Sequence, residues 1–168
     1  MKEILLVEDT DRDAEILQAG LKLAGVANPI RRLVSGTDAM DYLSYVEAAA
    51  AIGPPLPSII LLDLQLPGVS GFEILEHLQR PSFAKTLRIV LSHFGDTESL
   101  KRAYSLGANS FLSKPPQQAD LRELFTSFPG YWSFTVNPAN RPTGTLIRPA
   151  DLSNPAGDSP DQRKNSGA

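Results

Sequence analysis

SIILLDLQLPGVSG, residues 58–71, is the stretch whose reading decides the fold. Ile59, Ile60, Leu61 and Leu62 run without interruption into Asp63, and Leu64-Gln65-Leu66 and a Pro67-Gly68 turn follow. An aliphatic run with no polar alternation suggests a strand covered on both faces, as in a parallel sheet between helix layers. A carboxylate at the carboxyl end of such a strand sits on the rim where open α/β sheets bind their ligands. Asp63 can serve there as a metal ligand or as a nucleophile. Alone it also reads as a solvated strand terminus, so its meaning depends on what other strands bring to the same rim.

Composition limits the alternatives. A chain of 168 residues is expected to form one domain with a conventional core. A formal net charge of -3 argues against a nucleic-acid-binding surface, which is usually basic. Without cysteine there are no disulfides or thiolate metal sites, which fits a reducing compartment. The two histidines, His77 and His93, are too few for a zinc centre. Glu8 interrupts the first apolar run too early for a signal peptide, and no segment is long and apolar enough to span a membrane. A cytoplasmic protein is expected.

Outward from residues 58–71, the same grammar repeats. Ile4-Leu5-Leu6-Val7 is a second apolar run, ending in Glu8-Asp9. Residues 11–24 read as a helix, with Ile16, Leu17, Gly20, Leu21, Leu23 and Ala24 at helical spacing and Gly25 as a left-handed stop. Residues 30–34 read as a weaker strand, and Ser35 to Asp38 resemble a capping box before Ala39, Met40, Leu43 and Val46. An alanine-rich stretch and GPPLP then form a stiff connection over 47–57. Ser70 with Glu73 makes a capping box for a helix over 71–78, on which His77 reads as surface. Residues 88–91 are a fourth strand ending at Ser92, and Asp96 caps a helix over 97–106 that Gly107 stops. A fifth strand, 110–112, leads to Ser113-Lys114-Pro115, and the helix over 118–127 turns Leu121, Leu124, Phe125 and Phe128 inward. Tyr131 and Trp132 are expected to fold back onto a domain spanning 1–134. The tail, 135–168, is rich in Pro, Asn, Gly and Ser and reads as disordered.

Alternating strands and helices predict a five-stranded, mainly parallel sheet with helices on both faces. Each convincing strand then delivers a polar group to one edge: Glu8 and Asp9, Asp63, Ser92 and Lys114. Three clustered carboxylates repel one another unless a cation sits among them. With oxygen ligands alone the natural ion is Mg²⁺, which keeps several waters and takes one or two carboxylates plus a phosphate. A metal, an ammonium and a hydroxyl around one carboxylate are what the equatorial oxygens of an incoming phosphoryl group require. Asp63 is then the nucleophile of an aspartyl phosphate.

These residues resemble the receiver domain of two-component response regulators. The resemblance covers about residues 2–128 and rests on Glu8-Asp9, LLDLQLPGVSG around Asp63, VLS ending at Ser92, and LGANSFLSKP ending at Lys114-Pro115. It implies a flavodoxin-like, doubly wound three-layer α/β/α fold with five helices and strand order 2-1-3-4-5. A chemotaxis receiver of this same family is a standard instance of that order, so the order is an implication of kinship. The resemblance further implies that Asp63 accepts phosphate from a sensor histidine kinase. Asp9, Asp63 and the Gln65 backbone carbonyl would hold Mg²⁺, with Glu8 acting through water. Lys114 would bridge to the phosphoryl group next to a cis Lys114-Pro115 bond. Ser92 and Phe111 would form the switch that changes the surface of the fourth helix, fifth strand and fifth helix.

Departures from the common pattern carry their own expectations. His93 stands at the pocket rim where a small residue is usual, and its bulk is expected to slow loss of phosphate. Phe111 has no hydroxyl where many receivers have tyrosine, and Gln65 reaches toward the pocket. With only a short tail after the domain, a single-domain signalling protein is expected, not an enzyme, with a protein as downstream target. The 47–57 connection and the Phe128…Tyr131-Trp132 ending resemble stand-alone regulators paired with bacterial phytochrome-type kinases, a group whose members often dimerise. Two other classes stay open: a receiver-fold binding module never phosphorylated, and a haloacid-dehalogenase-like phosphatase. The latter would want a second aspartate at position 65, where this chain has Gln65.

Overall fold

The computed structural model describes residues 2–93 and 97–133. The expected Asp96 cap and the tail over 135–168 lie outside the described residues. Among the described residues there are five strands: β1 (Ile4–Val7), β2 (Ile30–Leu33), β3 (Ile59–Asp63), β4 (Leu87–Ser92) and β5 (Ser110–Ser113). They alternate with α1 (Asp11–Leu23), α2 (Gly36–Ala48), α3 (Gly71–His77), α4 (Thr97–Ser105) and α5 (Gln118–Ser127), plus a 3₁₀ turn at Pro81–Phe83. All pairings are parallel, in the order β2-β1-β3-β4-β5. The expected flavodoxin-like arrangement is therefore the one observed.

The aliphatic runs sort their side chains to two faces, as strand geometry requires. Leu5, Val7, Ile60, Leu62 and Val90 meet α2, α3 and α4, while Ile4, Leu6, Ile59, Leu61 and Leu91 meet α1 and α5. Every residue of β1 and β3 is buried, so neither face admits an alternating polar position. Register aligns the carboxyl ends: Val7 pairs with Leu62, Asp63 with Leu91 and Ser92 with Ser113. Glu8, the residue after Val7, therefore emerges beside Asp63. Gly71 sits directly behind the central strand end, where a Cβ would collide with the Asp63 carbonyl and the Leu64 Cα. Its N–H donates to the Leu64 carbonyl at 3.2 Å.

Helix ends follow the chemistry of their caps. Ser70 and Glu73 form a complete reciprocal capping box on α3. Ser35 accepts from the Asp38 N–H at the start of α2, and Gly25 and Gly107 follow α1 and α4 with φ of 82° and 90°. On the α3 side of the sheet, Arg88 in β4 does what an apolar residue could not. Its guanidinium donates to the carbonyls of Leu78 (2.6 Å), Phe83 (3.2 Å) and Gly107 (3.3 Å), joining three chain turns.

Two sequence expectations need correction. Leu23, grouped with the apolar stripe of α1, is 79% exposed, because the buried stripe is Ala14, Leu17 and Leu21. His77 is not a surface residue: its side chain is 7% exposed and its Nε2 lies 3.7 Å from Glu47 Oε2. The 3₁₀ turn folds Phe83 back over it, with ring centroids 5.6 Å apart. Burial above all, then nearby Arg80, hold the imidazole below its ordinary pKa, with Glu47 opposing them. Trp132 folds back as expected, buried against Phe125 at 4.8 Å between centroids. Tyr131 also folds back, its hydroxyl donating to the Lys85 carbonyl at 3.0 Å.

Candidate functional site

The carboxyl edge of the sheet collects four side chains from three strand ends: Glu8 and Asp9 after β1, Asp63 at the end of β3, and Lys114 after β5. The Lys114 backbone N–H donates to the Ser92 carbonyl at 2.8 Å, extending the β4–β5 pairing by one residue. The Lys114-Pro115 peptide is cis. From that position the ammonium reaches across the edge. Lys114 Nζ donates to Asp63 Oδ2 at 2.5 Å and lies 2.6 Å from Glu8 Oε2. Asp63 Oδ1 accepts the Gln65 N–H at 2.9 Å, so both of its oxygens are held and the carboxylate plane is set.

Burial makes these charges consequential. The side chains of Lys114, Asp63 and Glu8 are 5%, 8% and 1% exposed. Desolvation is the largest influence on Glu8 and raises its pKa, against the opposing pull of Lys114 and the Thr10 N–H. For Lys114 burial alone would favour the neutral amine, but hydrogen bonding and charge from Asp63 and Glu8 prevail and raise its pKa. The two carboxylates thus favour the charged form of Lys114, while burial disfavours the ionised form of Glu8.

Oxygens of Glu8, Asp9 and Asp63 all lie within 4.8 Å of one another. Glu8 Oε2 is buried and, although close to the ammonium, lacks an aligned hydrogen bond. Asp9 is exposed and leaves the cluster open to solvent. An all-carboxylate donor set with one under-satisfied oxygen fits a hard divalent cation such as Mg²⁺.

The remaining sequence-predicted residues are less tightly gathered. Ser92 is buried at the end of β4, and its Oγ donates to the His93 carbonyl at 3.3 Å. His93 itself is exposed, and Gln65 is exposed next to Asp63. Phe111 is 8% exposed and packs in the core shared by α2, α3 and α4.

Two charged residues near the site carry no motif that sequence reading used. Asp13 Oδ2, from α1, lies 3.4 Å from Lys114 Nζ. Arg32, at the end of β2, donates to the Glu8 carbonyl (3.0 Å), the Asp9 carbonyl (3.2 Å) and Asp11 Oδ1 (2.7 Å). It pins the acidic loop to its neighbour strand. Asp11 is 84% exposed, so that ion pair contributes little, while the two carbonyl bonds from a charged donor matter more. Arg32→Ala is expected to destabilise the fold by about 1–2 kcal/mol in urea denaturation. A loss under about 0.5 kcal/mol would mean that water replaces the guanidinium without cost.

The model of the response regulator receiver domain matches residues 4–126. A probable methanogenesis regulatory protein, FilR2 of Methanothrix harundinacea, is 35% identical over 77% of this chain and 82% of its own length. Response regulator Rcp1 of Synechocystis is 31% identical over 80% of this chain and 91% of its own. Its structure, described as the Mn²⁺-bound form, covers 82% of this chain and 98% of that one at 30% identity and TM-score 0.62. The bacteriophytochrome response regulator RtBRR superposes with TM-score 0.69 at 28% identity, covering 82% of this chain and 84% of that one. Asp63 and Lys114 thus meet in a fold, and in a sequence, shared with regulators of known kind. The chain belongs to the response regulator receiver domain family.

Proposed function

We propose that this protein accepts a phosphoryl group on Asp63 from a sensor histidine kinase and signals through a changed surface at α4, β5 and α5. The observation that carries this reading is the contact between Lys114 Nζ and Asp63 Oδ2 at 2.5 Å, beside carboxylates that suit a divalent cation. A bond forms between an Asp63 oxygen and phosphorus as the phosphorus–nitrogen bond of a phosphohistidine breaks, its electron pair returning to the imidazole. Lys114 supplies positive charge where the phosphoryl oxygens arrive, and the Gln65 N–H keeps the carboxylate oriented. Glu8, Asp9, Asp63 and the Gln65 carbonyl would hold Mg²⁺, which when bound neutralises charge on the transferring group. The Mn²⁺-bound form of Rcp1 supports a divalent ion in a regulator of this kind.

Ser92 and Phe111 are the residues through which the added charge would be read. Ser92 Oγ is bonded only weakly to a neighbouring carbonyl, at 3.3 Å, and can turn toward a phosphoryl oxygen. Phe111, at 8% exposure, would follow into the space released, biasing one of two packings of the β5 face. Similarity to regulators named for bacteriophytochromes supports a phytochrome-type kinase as donor. Homodimerisation and a protein target downstream complete the reading.

The test is direct. With Mg²⁺ and a phosphodonor or donor kinase, the protein should gain one hydroxylamine-labile phosphoryl group that maps to the peptide bearing Asp63. Absence of modification with every donor, or modification elsewhere, would remove the proposal. His93 offers a second measurement, because its exposed imidazole follows Ser92 at the rim. His93→Ala is expected to shorten the phosphoryl lifetime roughly two- to threefold by admitting water more freely, less than about 1 kcal/mol of barrier. Equal lifetimes would reduce His93 to a surface residue.

A further inference from the structure

The lysine that faces Asp63 has three protons and meets three carboxylates, of which only two belong to the acidic cluster. Asp63 Oδ2 stands at 2.5 Å, Glu8 Oε2 at 2.6 Å and Asp13 Oδ2 at 3.4 Å from Nζ. Asp13 enters from another element, the first turn of α1. It is 26% exposed, whereas the lysine is 5% exposed, so water has little access to replace a lost partner. The lysine, Asp13 and Glu8 border a hollow otherwise walled by Ile16, Leu17, Leu91, Pro115 and Pro116, whose side chains offer the ammonium no further acceptor.

We propose that Asp13 is a positioning residue for the phosphoryl site, retaining the Lys114 ammonium when Glu8 and Asp63 are claimed by cation and phosphoryl group. The inference rests on the phosphoacceptor reading of Asp63. Glu8 and Asp63 share the cation-binding cluster with Asp9, and Asp13 is outside it. Oxygens that turn toward a cation hold the ammonium less strongly, and Asp13 is then the partner whose charge remains uncommitted. Held from the α1 side, Nζ stays pointed into the pocket and spans the distance to a phosphoryl oxygen without having to be reordered at that moment. The bland alternative is that an acidic residue in a first helical turn merely complements the helix dipole.

The two readings separate by experiment on the full chain. Beryllium fluoride is titrated at saturating Mg²⁺, with bound fluoride observed by ¹⁹F NMR, and Mg²⁺ affinity alone is measured in parallel. Asp13→Asn is expected to weaken the fluoride complex about 5- to 10-fold, the size of one ordinary hydrogen bond, and Asp13→Glu to restore it to within about twofold. Helix-dipole complementation predicts instead a small loss of thermal stability with fluoride affinity unchanged once Mg²⁺ saturates, and that outcome overturns the proposal. Asp13→Ser serves the same comparison if the asparagine variant folds poorly. Wild type that binds no fluoride complex would overturn the phosphoacceptor reading itself. Wild-type binding with an unaltered Asp13→Asn would sink only the role given to Asp13.

Discussion

Asp63→Asn is expected to abolish phosphoryl uptake while leaving the fold as stable as wild type, within about 1 kcal/mol. An amide of the same shape cannot form the mixed anhydride, so no donor should restore the modification. Stability should survive because each neighbour keeps a partner. The amide oxygen can still accept the Gln65 N–H, now at 2.9 Å from the carboxylate, and Lys114 retains Glu8 at 2.6 Å and Asp13 at 3.4 Å. Removing one of three anions around a single ammonium also relieves like-charge repulsion. Mg²⁺ affinity should fall roughly tenfold or more with the loss of a carboxylate ligand. Mass spectrometry, urea denaturation and a Mg²⁺ titration check the three statements; persistent modification of the variant would contradict the assignment of Asp63.

Lys114→Met should have the opposite profile. Methionine can fill the volume of the lysine stem, but Glu8 and Asp63 at 1% and 8% exposure lose their compensating charge. Stranding buried charge in this way costs about 3–5 kcal/mol in the absence of metal, less whatever protonation recovers. The pH dependence follows from Glu8, whose folded pKa is raised, burial being the largest cause. A carboxyl with a raised folded pKa contributes stability below its unfolded pKa and loses it as pH rises through the folded value. The deficit of the variant should therefore be largest near neutral pH and shrink on acidification toward the ordinary carboxylate range. Mg²⁺ should repair much of it through binding linkage, since the cation no longer competes with an ammonium. Phosphoryl uptake should nonetheless slow by about 10²-fold, the usual effect of removing one donor to a developing anion. A variant as stable as wild type at pH 7 in a chelator would show that the ammonium is not what offsets those carboxylates.

Much of this architecture was legible because parallel strands buried on both faces have to be uniformly apolar. Ile4–Val7 and Ile59–Asp63 announce themselves in that way, and the polar residue that ends each run marks the functional edge. Capping at Ser35 and Ser70 was equally local, a matter of side chains three residues apart. By contrast, periodicity placed Leu23 with the inward stripe of α1 because it knows spacing but not where the neighbouring sheet ends. His77 was misjudged for a related reason. What covers it, the Pro81–Phe83 turn, is set by a chain reversal that no short pattern encodes.

By itself, the sequence determined the order of elements, the parallel sheet and the identities of Glu8, Asp9, Asp63 and Lys114 as edge residues, because each of those follows from a run of consecutive side chains. Only the tertiary structure decided which charges touch. Asp63 and Lys114, 51 positions apart, meet at 2.5 Å, and Glu8 and Arg32, 24 positions apart, share one hydrogen bond. Strand register sets those distances, and register is a property of the packed sheet. Asp13 and Arg32 entered the site for that reason alone: an aspartate in a first helical turn and an arginine in a weak strand acquire a role when the fold brings an ammonium to one and an acidic loop to the other.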